Sequence, residues 1–194
     1  MGIVVLTSSR NAGTRMRQFL NELEVVIPNA VKVNRGGRLS IVEVAGRAFS
    51  LGADKILYIG SRGGGNPGFI RFLRIRNGLI EVMPYFIKIL GVKLLVDMPV
   101  GVKSVRKAQS GIIVSLGEYM EIADILSEQL ELPSIRVNDF ESVRGMYDAI
   151  FLVRGLINGY EIQVLNGRDL GPPYGPFVSV GDVAYTKPRV IKLE

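Results

Sequence analysis

Four consecutive apolar residues, Ile3-Val4-Val5-Leu6, open the chain, and a polar hinge, Thr7-Ser8-Ser9-Arg10-Asn11, follows them. A short apolar run bounded by a polar turn is the pattern of a strand buried on both faces. Met16, Phe19, Leu20 and Leu23 then recur at i, i+3, i+4 and i+7, which predicts a helix with one apolar stripe. Val25-Val26-Ile27-Pro28 ends that element. Ala30-Val31-Lys32-Val33 predicts a second strand, and Asn34-Arg35-Gly36-Gly37-Arg38 a loop. Ser40 with Glu43 three residues later is a capping box, opening a helix through Val42, Ala45 and Phe49 that Gly52 stops. Lys55-Ile56-Leu57-Tyr58-Ile59 is a third buried strand. A glycine loop from Gly60 to Gly68 leads into a hairpin, Phe69 to Ile75 and Leu79 to Val82, about Asn77-Gly78.

The second half repeats this order. Gly111-Ile112-Ile113-Val114 matches Gly2-Ile3-Val4-Val5, and a helix carrying Tyr119, Ile122, Ala123 and Leu126 matches the first helix. FLNELEVVIPNAVKVN (19–34) aligns with ILSEQLELPSIRVN (125–138) after a two-residue deletion. Tyr147 to Phe151 parallels Ala53 to Leu57, and Phe151 to Gly159 resembles Phe72 to Gly78, each ending in Asn-Gly. Shared element order, proline position and Val-Asn ending point to duplication. The expected fold is therefore α/β: two similar βαβα-type lobes from an internal duplication, together one domain over 1–194. The first lobe covers about 1–90 and the second about 91–194.

Charge divides along the same line. Residues 1–91 hold 13 Lys/Arg against 5 Asp/Glu, a balance of +8, whereas 92–194 hold 11 against 13, a balance of −2. Basicity kept merely for solubility does not predict segregation; a polyanion facing one half does. The second-copy helix is acidic instead, with Glu118, Glu121, Asp124, Glu128 and Glu131.

The chain has neither Cys nor His, which removes Cys/His metal sites, thiol nucleophiles and His-based acid–base chemistry together. The carboxylates Glu43, Asp54 and Glu81 are scattered, with no acid–base pair or metal-binding cluster. No catalytic residue, cofactor or metal is expected. The apolar region Leu79 to Val100 is interrupted by Glu81, Pro84, Lys88, Lys93 and Asp97, so no membrane span is expected. With no secretory signal visible, a cytoplasmic location is. Gly63-x-Gly65-x-x-Gly68 meets the dinucleotide pattern on paper, but Phe69-Ile70-Arg71-Phe72-Leu73-Arg74-Ile75 alternates as a strand where that motif needs a helix. A glycine loop flanked by Arg62, Arg71 and Arg74 suits close approach to a sugar-phosphate backbone instead.

Arg10, Arg15 and Arg17 surround the start of the first helix, where cations oppose the helix dipole but exposed N–H groups favour a phosphate. The bland alternative is a set of solvated surface arginines. The candidate phosphate contacts are Arg10, Arg15, Arg17, Arg35, Arg38, Arg62, Arg71 and Arg74, with Asn11 and Asn66 as polar contacts.

The stretch TSSRNAGTRMRQFLNELEVVIPNAVKVNRG closely resembles the opening of the Brix-domain proteins, in particular their small-subunit-processome branch. Thr-Ser-Ser-Arg, the Thr-Arg-x-Arg-x-Phe helix and the Ile-Pro-Asn-Ala turn carry the likeness. Gly65-Asn66-Pro67 and Phe72-Leu73-Arg74 resemble the family's second signature. The resemblance implies lobes similar to the anticodon-binding domain of certain aminoacyl-tRNA synthetases. It also implies a non-enzymatic ribosome-biogenesis factor that binds precursor ribosomal RNA and assists rRNA processing and small-subunit assembly. Its partners would be that RNA, a guide-RNA ribonucleoprotein or pre-ribosomal proteins. Two departures stand out: Gly175-Pro176-Phe177 lacks the arginine of the family's Gly-Pro-Arg-Phe, and the chain is little more than the bare domain, the archaeal form. The residues alone leave two other readings: a tRNA or general structured-RNA binding module, and a nucleotide-dependent RNA enzyme using the glycine loop.

Overall fold

The computed structural model describes residues 2–98, 106–118, 120–171 and 173–193. Val100 and Tyr119, named above in the apolar region and the second-half helix, lie outside them. The first half runs β1 (Val4–Ser8), α1 (Thr14–Val26), β2 (Ala30–Lys32), α2 (Ile41–Ser50), β3 (Lys55–Arg62), β4 (Asn66–Arg76) and β5 (Leu79–Lys93). The second runs β6 (Gly111–Leu116), α3 (Glu121–Leu130), β7 (Ser134–Val137), β8 (Ala149–Leu156), β9 (Gly159–Asn166) and β10 (Pro173–Tyr185), and β11 (Arg189–Lys192) closes the chain.

All the strands among the described residues join one sheet, ordered β2-β1-β3-β4-β5-β10-β9-β8-β6-β7, with β11 on β5. In the first half β1 lies parallel between β2 and β3, and β3, β4 and β5 follow antiparallel. The second half has the same arrangement with β6 between β7 and β8, then β9 and β10. The halves meet where β5 and β10 pair antiparallel. Each parallel crossover needs a covering element, and α1 and α3 supply it on the same face of the sheet, over a core that includes Leu6, Phe19, Ile59, Phe72, Ile113, Leu126 and Phe151. α2 covers a second core, with Val5, Ile56, Leu73 and Ile80, on the opposite face.

Three expectations are corrected. Among the described residues the second half has no counterpart of α2: a 3-10 turn, Phe140–Val143, stands there with Val143 as its buried residue, so this half is not βαβα. That segment has no apolar stripe, and Gly145 takes φ +76° directly after it. On α2 the buried positions are Val44, Ala45 and Ala48, while Phe49 is 72% exposed. One step along a helix turns 100°, enough to carry Phe49 off the stripe. The hairpin's second strand runs past Val82 to Lys93, because Pro84 falls at a register shift between β4 and β5, where a missing N–H is tolerated.

The capping box is as expected: Ser40 Oγ accepts from the Glu43 N–H (3.1 Å) and Glu43 Oε2 accepts from the Ser40 N–H (2.6 Å). Asn77 and Gly78 both take positive φ, 51° and 71°, as a two-residue hairpin turn of type I′ requires.

Candidate nucleic-acid interface

The hinge after β1 is fastened on three sides. Thr7 Oγ1, fully buried, donates to Val33 O (2.9 Å); the Ser9 N–H donates to Ile59 O (3.0 Å) and the Gly13 N–H to Gly65 O (3.1 Å). The glycine loop is thus packed against the hinge. Gly65 has φ +75°, and a Cβ there would stand 2.7 Å from Asn11 O and Gly13 N. Gly63 meets nothing within 4 Å and is freely exposed. A 3-10 turn and then β4 follow these glycines, so no helix N-terminus is offered to a pyrophosphate.

α1 begins at Gly13 with no side-chain cap and no acidic residue in its first turn, which leaves its first N–H groups open to an anion. Beside it lies a cleft of about 520 Å³ lined by Ser8, Ser9, Arg10, Ala12, Arg17, Asn21, Lys32, Asn34, Arg35, Gly36 and Gly37. Arg10 and Arg17 are exposed and make no ion pair among the described residues. Arg35 is half-buried, donating from Nε to Leu39 O (2.8 Å) and from Nη1 to Ser8 O (3.3 Å). Burial pulls its guanidinium below the ordinary arginine value, Tyr58 opposes that, and the neighbouring Arg10 charge adds to it. A desolvated cation with a like charge beside it is the arrangement an incoming anion relieves. Lys32 reaches Asn21 Oδ1 and lies 3.8 Å from Glu24 Oε2.

The cleft gathers Arg10, Arg17 and Arg35 of the expected contacts. Arg38 and Asn11 are exposed nearby, on the Gly36-Gly37 turn and the hinge. Arg62 and Asn66 flank a separate surface hollow of about 350 Å³ that Arg15 also lines. Arg15 is engaged: its Nη2 donates to Asp97 Oδ2 (2.6 Å) and Val92 O (2.6 Å), and its Nη1 to Asp97 Oδ1 (3.2 Å). Arg71 and Arg74 project to opposite faces of β4, since strand side chains alternate. Arg74 pairs with Glu128 of α3 (2.9 Å), whereas Arg71 lies beside the rings of Phe69 and Phe86. Lys32, Asn21 and Asn34 were not among the sequence candidates. The apolar neighbours Val31 and Val33 are the signal that sets Lys32 on the other side of its strand.

The acidic helix also has a place. Lys55 of β3 pairs with Glu131 (2.9 Å) and donates to Glu128 O (2.8 Å), and Glu131 also accepts from the Gly2 N–H. Two of its carboxylates are therefore spent on first-half cations. Among the described residues no group of three or more His, Cys, Asp or Glu is placed to hold a metal. No helix among them is long and apolar enough to cross a membrane.

No protein-family model matches the chain. A probable Brix domain-containing ribosomal biogenesis protein of Pyrobaculum aerophilum is 32% identical over 169 residues, 87% of this chain and 88% of that protein. One of the same description from Saccharolobus solfataricus is 35% identical over 123 residues, 63% of this chain and 69% of the relative. The crystal structure of a probable ribosomal biogenesis protein from Aeropyrum pernix matches with a TM-score of 0.72 at 24% identity, covering 96% of this chain and 100% of that one. Mil, an archaeal Imp4-like protein, matches at 0.62 and 18% identity, covering 93% and 99%. Both share this fold.

Proposed function

The chain belongs to the family of Brix domain-containing ribosomal biogenesis proteins, and on that premise we propose that it binds precursor ribosomal RNA through the α1–β2 cleft and so assists rRNA processing and small-subunit assembly. The observation that carries this reading is the gathering of four cations, Arg10, Arg17, Lys32 and Arg35, around one cleft. Phosphate contacts of this kind position an RNA without reading its sequence. Arg38 and Asn11 extend the contact along the rim, and Arg62 and Asn66 beyond the glycine loop. Arg15 and Arg74, held by carboxylates, act by fixing the surface. The role is binding, not catalysis, in the cytoplasm, with a guide-RNA ribonucleoprotein or pre-ribosomal proteins as further partners.

The same reading takes the chain as a single domain duplicated from one unit, each half in the manner of a synthetase anticodon-binding domain. The basic half, about 1–90, faces the RNA; the acidic half, about 91–194, orients it. The matched strand order about the β5–β10 pair supports the duplication. The test is competition: labelled small-subunit precursor fragments are bound to the full chain and challenged with unlabelled fragment or tRNA. The fragment should displace at lower concentration. Equal displacement would favour a general structured-RNA module.

A further inference from the structure

On the face of the sheet that carries α2, beyond that helix, Tyr58, Phe69, Arg71 and Phe86 of β3, β4 and β5 are half-buried and Lys88 and Leu90 are exposed. Phe69 stands directly opposite Gly60 of β3 and Lys88 of β5; Arg71 stands opposite Tyr58 and Phe86. Alternation puts all six on the same face. A carbon added at Gly60 would meet Cζ, Cε1 and Cε2 of Phe69 at nearly equal distances, nearest of all its neighbours. Three ring atoms can be nearly equidistant at such close range only if the carbon stands over the ring's face. The Phe69 ring therefore lies down on the Gly60 backbone, with its opposite face turned away from the sheet.

Around this floor the other groups form a niche. The Phe86 ring stands at 73° to Phe69, centroids 6.0 Å apart, as a wall. The Arg71 guanidinium carbon lies 5.2 Å from the Phe86 centroid and 6.0 Å from that of Phe69, with no ion pair among the described residues. Lys88 is exposed at the rim. Tyr58, its ring centroid 6.1 Å from Phe69, also lies beside Arg35, which lines the phosphate cleft. A flat aromatic floor, an upright wall and two cations match a planar, electron-rich ring attached to a phosphate. Apolar peptide side chains would not need the cations, and duplex RNA has no free base face to offer.

We infer that this niche stacks one unpaired nucleobase on Phe69, with its phosphate toward Lys88 and Arg71, so that a single strand leaving the cleft crosses Tyr58 onto this face of the sheet. The inference rests on the RNA-binding reading above. It adds a preference for unpaired segments that the cleft alone does not supply, because phosphates are common to paired and unpaired RNA.

The test uses the full chain with an unstructured oligouridylate and a short RNA duplex, each followed by fluorescence anisotropy. Phe69→Leu and Phe86→Leu keep apolar cover but remove a π face; circular dichroism and thermal unfolding verify the fold. Phe69→Leu should weaken single-strand binding about 5- to 150-fold, the range of one lost base–aromatic stack, Phe86→Leu should weaken it less, and both should leave duplex binding within about twofold. On the unmodified protein, oligouridylate carrying 4-thiouridine should photocrosslink to peptides from β4 or β5. Equal losses on both RNAs, no loss on the single strand, or crosslinks confined to other elements would each overturn the niche. A wild-type chain that binds the duplex but not the single strand would overturn the niche and leave the cleft standing. One that binds neither would overturn both.

Discussion

Arg15 on the first turn of α1 places its Nη2 2.6 Å from Asp97 Oδ2, across 82 residues of chain, and 2.6 Å from the Val92 carbonyl oxygen. The hydrogen bond from Arg15 holds the Asp97 carboxyl below its ordinary range and raises the guanidinium's own value. This pair ties α1 to the end of β5. Arg15→Gln should therefore cost about 1 kcal/mol of stability, mostly through the lost carbonyl bond, since the ion pair is partly exposed and screened. Denaturant unfolding reads this directly. Unchanged stability with a large drop in RNA affinity would make Arg15 an RNA contact instead.

Arg10 and Arg17 should behave in the opposite way. Each lost phosphate contact makes the slope of log K against log salt shallower by about 0.7 to 0.9. Arg10→Gln with Arg17→Gln should thus flatten it by roughly 1.4 to 1.8, while unfolding shifts by no more than about 0.5 kcal/mol. Changing Glu118 and Asp124 to Gln should leave that slope as it is.

The two ends of the glycine turn should separate. Gly63→Ala meets open space and should be nearly neutral. Gly65→Ala must hold φ +75° with its methyl 2.7 Å from the hinge backbone, a strain of roughly 1 to 3 kcal/mol. Thermal unfolding of the two variants distinguishes them; equal melting points would mean that the loop does not brace the hinge.

Acid should loosen the contact between the halves. The Glu131 carboxyl is held below its ordinary value, first by the Gly2 N–H and then by Lys55. A depressed carboxyl stabilises the fold above the unfolded value, 4.5, and that contribution is lost as pH falls through the folded value. Glu131→Gln should therefore flatten the loss of stability below about pH 4.5. Glu22 carries the other sign: burial raises its carboxyl, so its relative contribution is present below the unfolded value and fades as pH rises through the folded one. Glu22→Gln should therefore raise neutral-pH stability relative to acid-pH stability, widening the gap between them, read by denaturant midpoints across pH.

Local chemistry was legible in the sequence, and distant chemistry was not. Ser40 and Glu43 need only each other, so their capping box could be read from spacing. Asn77-Gly78 likewise specifies its own turn. Phe49 has the right character for a stripe, but whether it is buried depends on where α2 sits over β3. The arginines show the same limit: Arg15 and Arg74 look like Arg10 and Arg17 until Asp97 and Glu128 arrive from 82 and 54 residues away. Lys32 carries no such local sign, because one charge between two valines looks like ordinary strand alternation, and only packing beside α1 brings it to the cleft.

The β5–β10 pairing has a consequence for how the protein is made. β5 ends at Lys93, yet its partner along the seam runs only to Tyr185. At about 5 to 20 residues per second, the growing chain carries an open central strand edge for roughly 5 to 20 s before that partner emerges. An exposed row of unpaired N–H and C=O groups is a template for wrong pairing with a neighbouring nascent chain. Leu90, Gly91 and Val92 lie on that stretch, and Lys88 and Lys93 bracket it with charge, the kind of flanking that discourages two such edges from meeting.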